Sequence, residues 1–301
     1  MRKRLAGWWF APAPAERLAA LRILLGGYAL AYVLYRFGEL AAIRHAARFA
    51  PVGVTRILEA PLGPALVTTL VIVTVVLLAA FVVGFQYRIV APLAAVALLW
   101  VTSYRNSWGM VFHTENLMLL HVIALACLPA ADRWAIGKPP ATAPPAGYGW
   151  GIKLLVALTA ATYVLAGIAK LRIAGLDWID GELLRNQIAI DNLRKALLGD
   201  AIAPLGTQFL EHPSYFTGFC ALTLLLELGA PIALLGGRPA RAWALAAWGF
   251  HVGVVLVMNI WFLYPLLGAA FVPILHAERS VHWLIGRARA WRGRSDPRPP
   301  A

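Results

Sequence analysis

Several ionisable side chains stand inside apolar runs of this sequence, where water cannot solvate them, and each is a candidate for chemistry. Lys170 closes the run ATYVLAGIAKLR. A lysine partly removed from water can serve as a base, whereas an end-of-helix lysine that only reaches for the headgroups needs nothing but length and charge. From the physics of the residue alone, the second reading is preferred. Glu227, in LLLELGAP, is too short to reach an interface and must pair or hold a proton. A structural pair with a cation such as Arg22 or His121 is preferred over a proton relay. Arg22 near the start of the first apolar run is expected to snorkel to headgroups, and His121 to hydrogen-bond between helices. His251 in WGFHVGVVLVMN has Asn259 two turns later on much the same helical face, while Asn106, His113 and Asn116 gather ahead of a later run. Lys170, His113, Asn106, Trp178 and Asp180 are expected on one outer face. There a base, histidines and amides would surround a lipid-like substrate. Cys127 and Cys220 both lie in apolar runs and read as small buried hydrophobes. No metal-ligand spacing or disulfide framework is present, so no metal is expected.

The elements that position these groups follow from composition. Of 301 residues, 60% are hydrophobic and 14% charged, more apolar surface than a soluble fold of this size can hide. Spans of about 20 apolar residues are needed to cross a bilayer. The candidate runs are Leu18–Tyr35, Ala65–Gly84, Val90–Tyr104, Asn116–Ala131, Trp150–Leu171, Tyr215–Leu235, Trp243–Ile260 and Phe262–His276. They predict an all-α integral membrane bundle of about eight transmembrane helices with no soluble domain. The net charge of +13 lies in short loops and at the ends, a positive-inside pattern rather than a nucleic-acid surface. Both termini are therefore expected in the cytoplasm, with residues 172–211 outside. The division is a basic N-terminus over 1–15, a transmembrane domain over 16–277, and a basic amphipathic tail over 278–301. Within Glu182–Gly199, Leu183, Ile190, Leu193 and Leu197 recur at helical spacing, which predicts a helix lying flat on the outer face. Ser280–Arg294 mixes tryptophans with arginines and suits an anionic inner leaflet. GKPPATAPPAGYG reads as a cytoplasmic linker and the final SDPRPPA as a disordered end.

The stretch YVLAGIAKLRIAGLDWIDGELL, Tyr163 to Leu184, resembles the signature of the HTTM-domain family, the transmembrane core of vitamin K-dependent gamma-carboxylase. Its pattern is a span ending in a small-residue turn and lysine, a short connection, then Trp-x-x-Gly. LAALRILLGGY, FHTENLMLLHVIALACLPAADRWAIG, LELGAP and WGFHVGVVLVMN are similar to further family segments in the family's order. The resemblance covers about residues 15–276 and points to a bacterial, bare-core member. It implies that Lys170 deprotonates a reduced vitamin K or menaquinol-like quinol. Oxygen then yields an epoxide-forming strong base that removes a γ-proton from a substrate glutamate, to which carbon dioxide adds. His113 is implied as the assisting histidine, although strict alignment from Trp134 places Thr114 there. Trp178, Asp180 and Gly181 would close the pocket, with Asn106, Asn116, His251 and Asn259 lining it. The carboxylase's large lumenal region has no counterpart here. A secreted peptide substrate and an accessory protein are therefore expected partners beside the bilayer and the quinol, and nucleic acid is not. Two alternatives stand beside catalysis: a non-catalytic subunit for maturation or export of a secreted peptide, and a small transporter using Glu227 and His251 as a proton path.

Overall fold

The computed structural model describes residues 2–41, 48–109, 111–137, 147–283 and 287. The expected tail Ser280–Arg294, the Pro-rich linker and the final SDPRPPA lie mostly or wholly outside these residues. All regular structure among the described residues is helical, apart from one isolated bridge between Phe49 and Trp108. The α-helices are α1 (Arg2–Trp9), α2 (Ala15–Tyr35), α3 (Phe37–Ala41), α4 (Pro64–Val83), α5 (Tyr87–Asn106) and α6 (Asn116–Ala126). They continue with α7 (Gly149–Ala174), α8 (Glu182–Leu198), α9 (Pro204–Phe209), α10 (Pro213–Leu228), α11 (Gly237–Met258) and α12 (Leu263–Leu266).

Among the described residues, five helical stretches are long and apolar enough to cross a membrane: α2, α4, α5, α11, and α7 with the tight turn that extends it to Asp180. Helices α6 and α10 are apolar but shorter. The eighth expected run is not one helix. It divides into α12, a turn at Gly268 with φ 79°, and a 3-10 turn over Ala269–Ile274 that contains Pro273. Pro265 and Pro273 lack amide donors and Gly268 takes a left-handed conformation, so the helical ladder cannot continue. Inside the long helices, hydroxyls turn back onto their own backbone. Thr68, Thr69 and Thr74 donate to the carbonyls of Pro64, Ala65 and Leu70, leaving no polar group of theirs in need of water.

The chain groups into two compact units, Met1–Leu154 with Leu275–Ala301, and Leu155–Ile274. The first is built around Arg22, which has no exposed surface. Its Nε donates to Val82 O at 3.1 Å, Nη1 to Ala130 O at 2.8 Å and Arg133 O at 3.3 Å, and Nη2 to Trp134 O at 2.6 Å. The expectation that Arg22 snorkels to headgroups is corrected here. The guanidinium fork matches carbonyls at the end of α4 and in the turns after α6, which no longer bond within their helices. Gly84, at φ 74°, must lack a side chain, because a Cβ would lie 2.8 Å from Arg22 Nη1. His121 is also fully buried in this unit. Cys127 is corrected: it caps α6 and is exposed, while Cys220 is buried.

In the second unit, α10 and α11 carry the packing, and α8 and α9 are held against α11. Helix α8 forms where the leucine spacing predicted it. Ile188, Asn192 and Lys195 face inward. Lys195 Nζ donates to Met258 O at 2.5 Å and pairs with Asp191 Oδ2 at 2.6 Å. Asn192 accepts from Ala203 N–H at 3.1 Å and donates to Thr207 Oγ1 at 3.2 Å. Burial pushes the Asp191 carboxyl up, but hydrogen bonds from Lys195 and Arg194 outweigh this and hold it below the usual carboxylate value.

Arg22→Met removes the donors and strands their acceptors, each unmet buried group costing about 1–3 kcal/mol. A large fall in the detergent melting temperature is expected, with Arg22→Lys intermediate because one ammonium cannot span the fork. A snorkelling arginine would leave both variants silent. For Asp191, a depressed folded pKa contributes stability that is complete above the unfolded value of about 3.9 and is lost as pH falls through the folded one. The melting advantage of the parent over Asp191→Asn is expected to be level above about pH 5 and to shrink below about pH 4.

Candidate active site around Lys170 and Glu227

Tyr163, Gly167 and Lys170 recur at helical spacing on one face of α7. Gly167 brings α10 close: a Cβ there would lie 2.9 Å from Leu228 Cδ2 and 3.2 Å from Glu227 Cβ. This approach lets Lys170 Nζ donate to Glu227 Oε1 at 2.5 Å. Glu227 is buried and Lys170 half-buried. The Trp178 ring lies 5.5 Å from the ammonium, within reach of a cation–π attraction. The contact completes a triad of cation, anion and aromatic wall, drawn from α7, α10 and the tight turn Gly175–Asp180. Two of its buried polar atoms, Glu227 Oε2 and Trp178 Nε1, have no hydrogen-bond partner among the described residues. The triad thus keeps one acceptor and one donor unspent.

The expected partners of these groups are corrected. Glu227 pairs with Lys170 and not with Arg22 or His121, because Gly167 sets α10 against the lysine face while Arg22 is spent on carbonyls. Lys170, which physics alone assigned to headgroups, is ion-paired.

A second polar pair occupies the same unit. Tyr163 Oη and His251 Nε2 share a hydrogen bond at 2.8 Å, and His251 Nδ1 is buried without a partner among the described residues. The Tyr163 ring stands edge-on to Trp243, whose Nε1 donates to Leu226 O at 3.0 Å. Tyr163 escaped the sequence reading, although it stands two turns before Lys170 on the same face.

Asp180 and Gly181 make a joint. Asp180 Oδ1 accepts the Glu182 amide at 2.9 Å and starts α8, and its carbonyl accepts Thr217 Oγ1 at 2.9 Å. Gly181, at φ 89°, packs so tightly on α10 that a Cβ would lie 2.6 Å from the Phe216 carbonyl carbon. Asn259 ends α11 in a left-handed conformation with φ 48° and ties Ala201 O to Trp261 Nε1.

Lys170, Trp178, Asp180, Gly181, Glu227, His251 and Asn259 belong to the unit Leu155–Ile274; Arg22, Asn106, His113, Asn116 and His121 belong to the other. In that other unit, Asn106 clasps the Phe112 backbone through both amide atoms, and the exposed His113 offers its carbonyl to the Asn116 amide at the start of α6. Beside them stands a group the sequence reading did not single out. Glu115 Oε1 accepts from Arg105 and from Tyr32 Oη, both at 3.0 Å. Its only sequence signal is an acidic residue at the entry to an apolar run, in FHTENLMLL. No family model, curated protein or solved structure matches the chain.

Removing one partner of a buried ion pair strands the other, at about 3 kcal/mol or more. Lys170→Met and Glu227→Leu are each expected to lower the detergent melting temperature, with Glu227→Gln milder than Glu227→Leu. The double variant Lys170→Met/Glu227→Leu should be more stable than the sum of the single losses, because no charge is then left unpaired.

Proposed function

We propose that the chain is a multi-pass protein of the cell (inner) membrane, with both termini cytoplasmic and about eight membrane crossings, the last made by the broken segment of α12 and the 3-10 turn Ala269–Ile274 rather than by one helix. In this reading it is an HTTM-like relative of vitamin K-dependent gamma-carboxylase that works on a reduced quinol and a secreted or membrane peptide at the outer face. The observation that carries the reading is the Lys170–Glu227–Trp178 triad with its unspent acceptor and donor. The five long apolar helices support the membrane setting.

A reduced quinol has a flat ring and hydroxyls that both donate and accept, and the residues fit it. Trp178 offers an aromatic wall and an N–H donor, and Glu227 Oε2 offers an acceptor. When bound, such a quinol supplies the oxidisable hydroxyl of the chemistry that the resemblance implies, with dioxygen as oxidant. The protein's part is proton handling. In this reading Lys170 passes its proton to Glu227, the carboxylate it donates to, and is left as a neutral amine. That amine is the base, and arginine cannot provide it. Excluding water from the pair strengthens every such electrostatic preference.

A second reading is a non-catalytic membrane subunit in which the pair only clasps α7 to α10. The close approach at Gly167 favours it. Lys170→Arg separates the two, since arginine preserves a clasp and destroys a base. With purified protein in nanodiscs, reduced menaquinone and dioxygen, epoxide formation is expected from the parent. Lys170→Arg should fall by about 100-fold or more, the scale of a lost general base, at an unchanged melting temperature. Full activity in the arginine variant would overturn the base assignment.

A further inference from the structure

We infer that α8 is seated in one lipid leaflet, with the ridge formed by Leu183, Ile190, Leu193 and Leu197 immersed among acyl chains. The inference rests on the reading of the long apolar helices as membrane spans and concerns a segment outside them. Relative exposures of 43%, 66%, 60% and 78% show that these four side chains stand outward along the whole helix. The opposite face is buried: Ile188 lies at its centre, beside Lys195, tied to Met258 O, and Asn192, tied to the Ala203 backbone. Helices on water-soluble surfaces turn their large apolar side chains inward, because apolar area seeks the core and charge seeks water; here four of them stand outward. An outward apolar ridge over an inward polar clamp is stable where the surroundings are themselves apolar.

The width and borders of the ridge suit lipid. At 100° per residue the four side chains fall within about 80° of arc. Exposed Glu182 and Arg194 border it on either side, placed to reach headgroups. Apolar exposure also continues along the chain beyond the helix. Ile173 and Leu176 stand outward before it, and Ile202 and Leu205 after it.

A second copy of the chain is the other occupant to weigh, because the ridge has heptad spacing. Helix α8 has 17 residues, little more than two heptads. Sustained pairing needs about three or four. Asn186 also stands within the ridge, where a seam would be apolar. Two heptads fall short of a coiled-coil seam, whereas lipid sets no minimum length.

The test places an environment-sensitive NBD label on single cysteines. Cys127→Ser removes the exposed native thiol; Cys220 is buried, and background labelling is measured on the parent Cys127→Ser chain. Labels go to Leu193→Cys and Leu197→Cys on the ridge, Gln187→Cys beside it, and Val76→Cys on the exposed apolar face of α4. The protein is reconstituted in phosphatidylcholine–phosphatidylglycerol vesicles with or without doxyl-labelled lipid. Labels at 193 and 197 are expected to lose about half their emission to doxyl lipid and little to aqueous iodide, with the label at 187 more open to iodide. Iodide quenching at 193 and 197 without doxyl quenching overturns the inference. If doxyl lipid then quenches the label at 76, the membrane reading survives its failure; if it quenches neither, both fail. Protection from both quenchers, with cross-linking between copies through Leu193→Cys, would assign the ridge to a second copy and overturn the lipid assignment.

Discussion

Where water is excluded, a charge must meet its counterpart or a full set of hydrogen-bond partners, and this constraint organises both units. Arg22 shows its most complete solution. No carboxylate answers the guanidinium; four backbone carbonyls do, at helix ends that need donors. The same contact satisfies the arginine and gathers α2, the end of α4 and the turns after α6 around one point. Gly84 follows from it, since any side chain there would occupy the space of the guanidinium. The Glu115–Arg105–Tyr32 group repeats the principle with an ion pair and a phenol in the same unit.

The second unit meets the constraint differently. Lys170 and Glu227 neutralise one another, yet Glu227 Oε2, Trp178 Nε1 and His251 Nδ1 remain buried and unpartnered among the described residues. Buried polar atoms are nearly always satisfied by protein or water, so each exception calls for a reason. A structural clasp needs no spare acceptor beside a spare donor. A site that receives a hydroxyl-bearing molecule needs both. That contrast, more than the presence of the lysine, is why the triad is read as a working centre.

Close helix approach is the second device. Gly167 brings α10 onto α7, Gly181 seats the turn after α7 onto α10, and Gly206 sets α9 against the Val257 carbonyl of α11. Small residues at such crossings let backbones meet where there is no hydrophobic force between apolar helices in lipid. The glycines place the lysine, the carboxylate and the tryptophan within a few ångströms of one another, and they join that cluster to α8 without a flexible link. Charged residues also pair at long range, as Arg133 after α6 does with Glu16 in the first turn of α2.

The all-helical class, the long apolar helices and α8 were legible in the sequence because they depend on local periodicity and length. The runs beginning near Leu18, Ala65, Val90, Trp150 and Trp243 became helices of spanning length, with ends a few residues from their expected places. The run at Phe262 did not, although its prolines and glycine were in view, because apolar content alone does not distinguish a helix from a chain of turns. Lys170, Glu227 and Trp178 stood out in the sequence as single residues. Their meeting did not, since positions 170 and 227 are joined only by the packing at Gly167. Arg22 was misread for the same reason: headgroups are the default partner of a cation near a helix end, and the carbonyls it binds lie more than a hundred residues away for three of the four bonds. Side-chain type and spacing determined which groups would need partners. Which partners they found was decided by tertiary structure, because burial and close approach arise between segments distant in the chain.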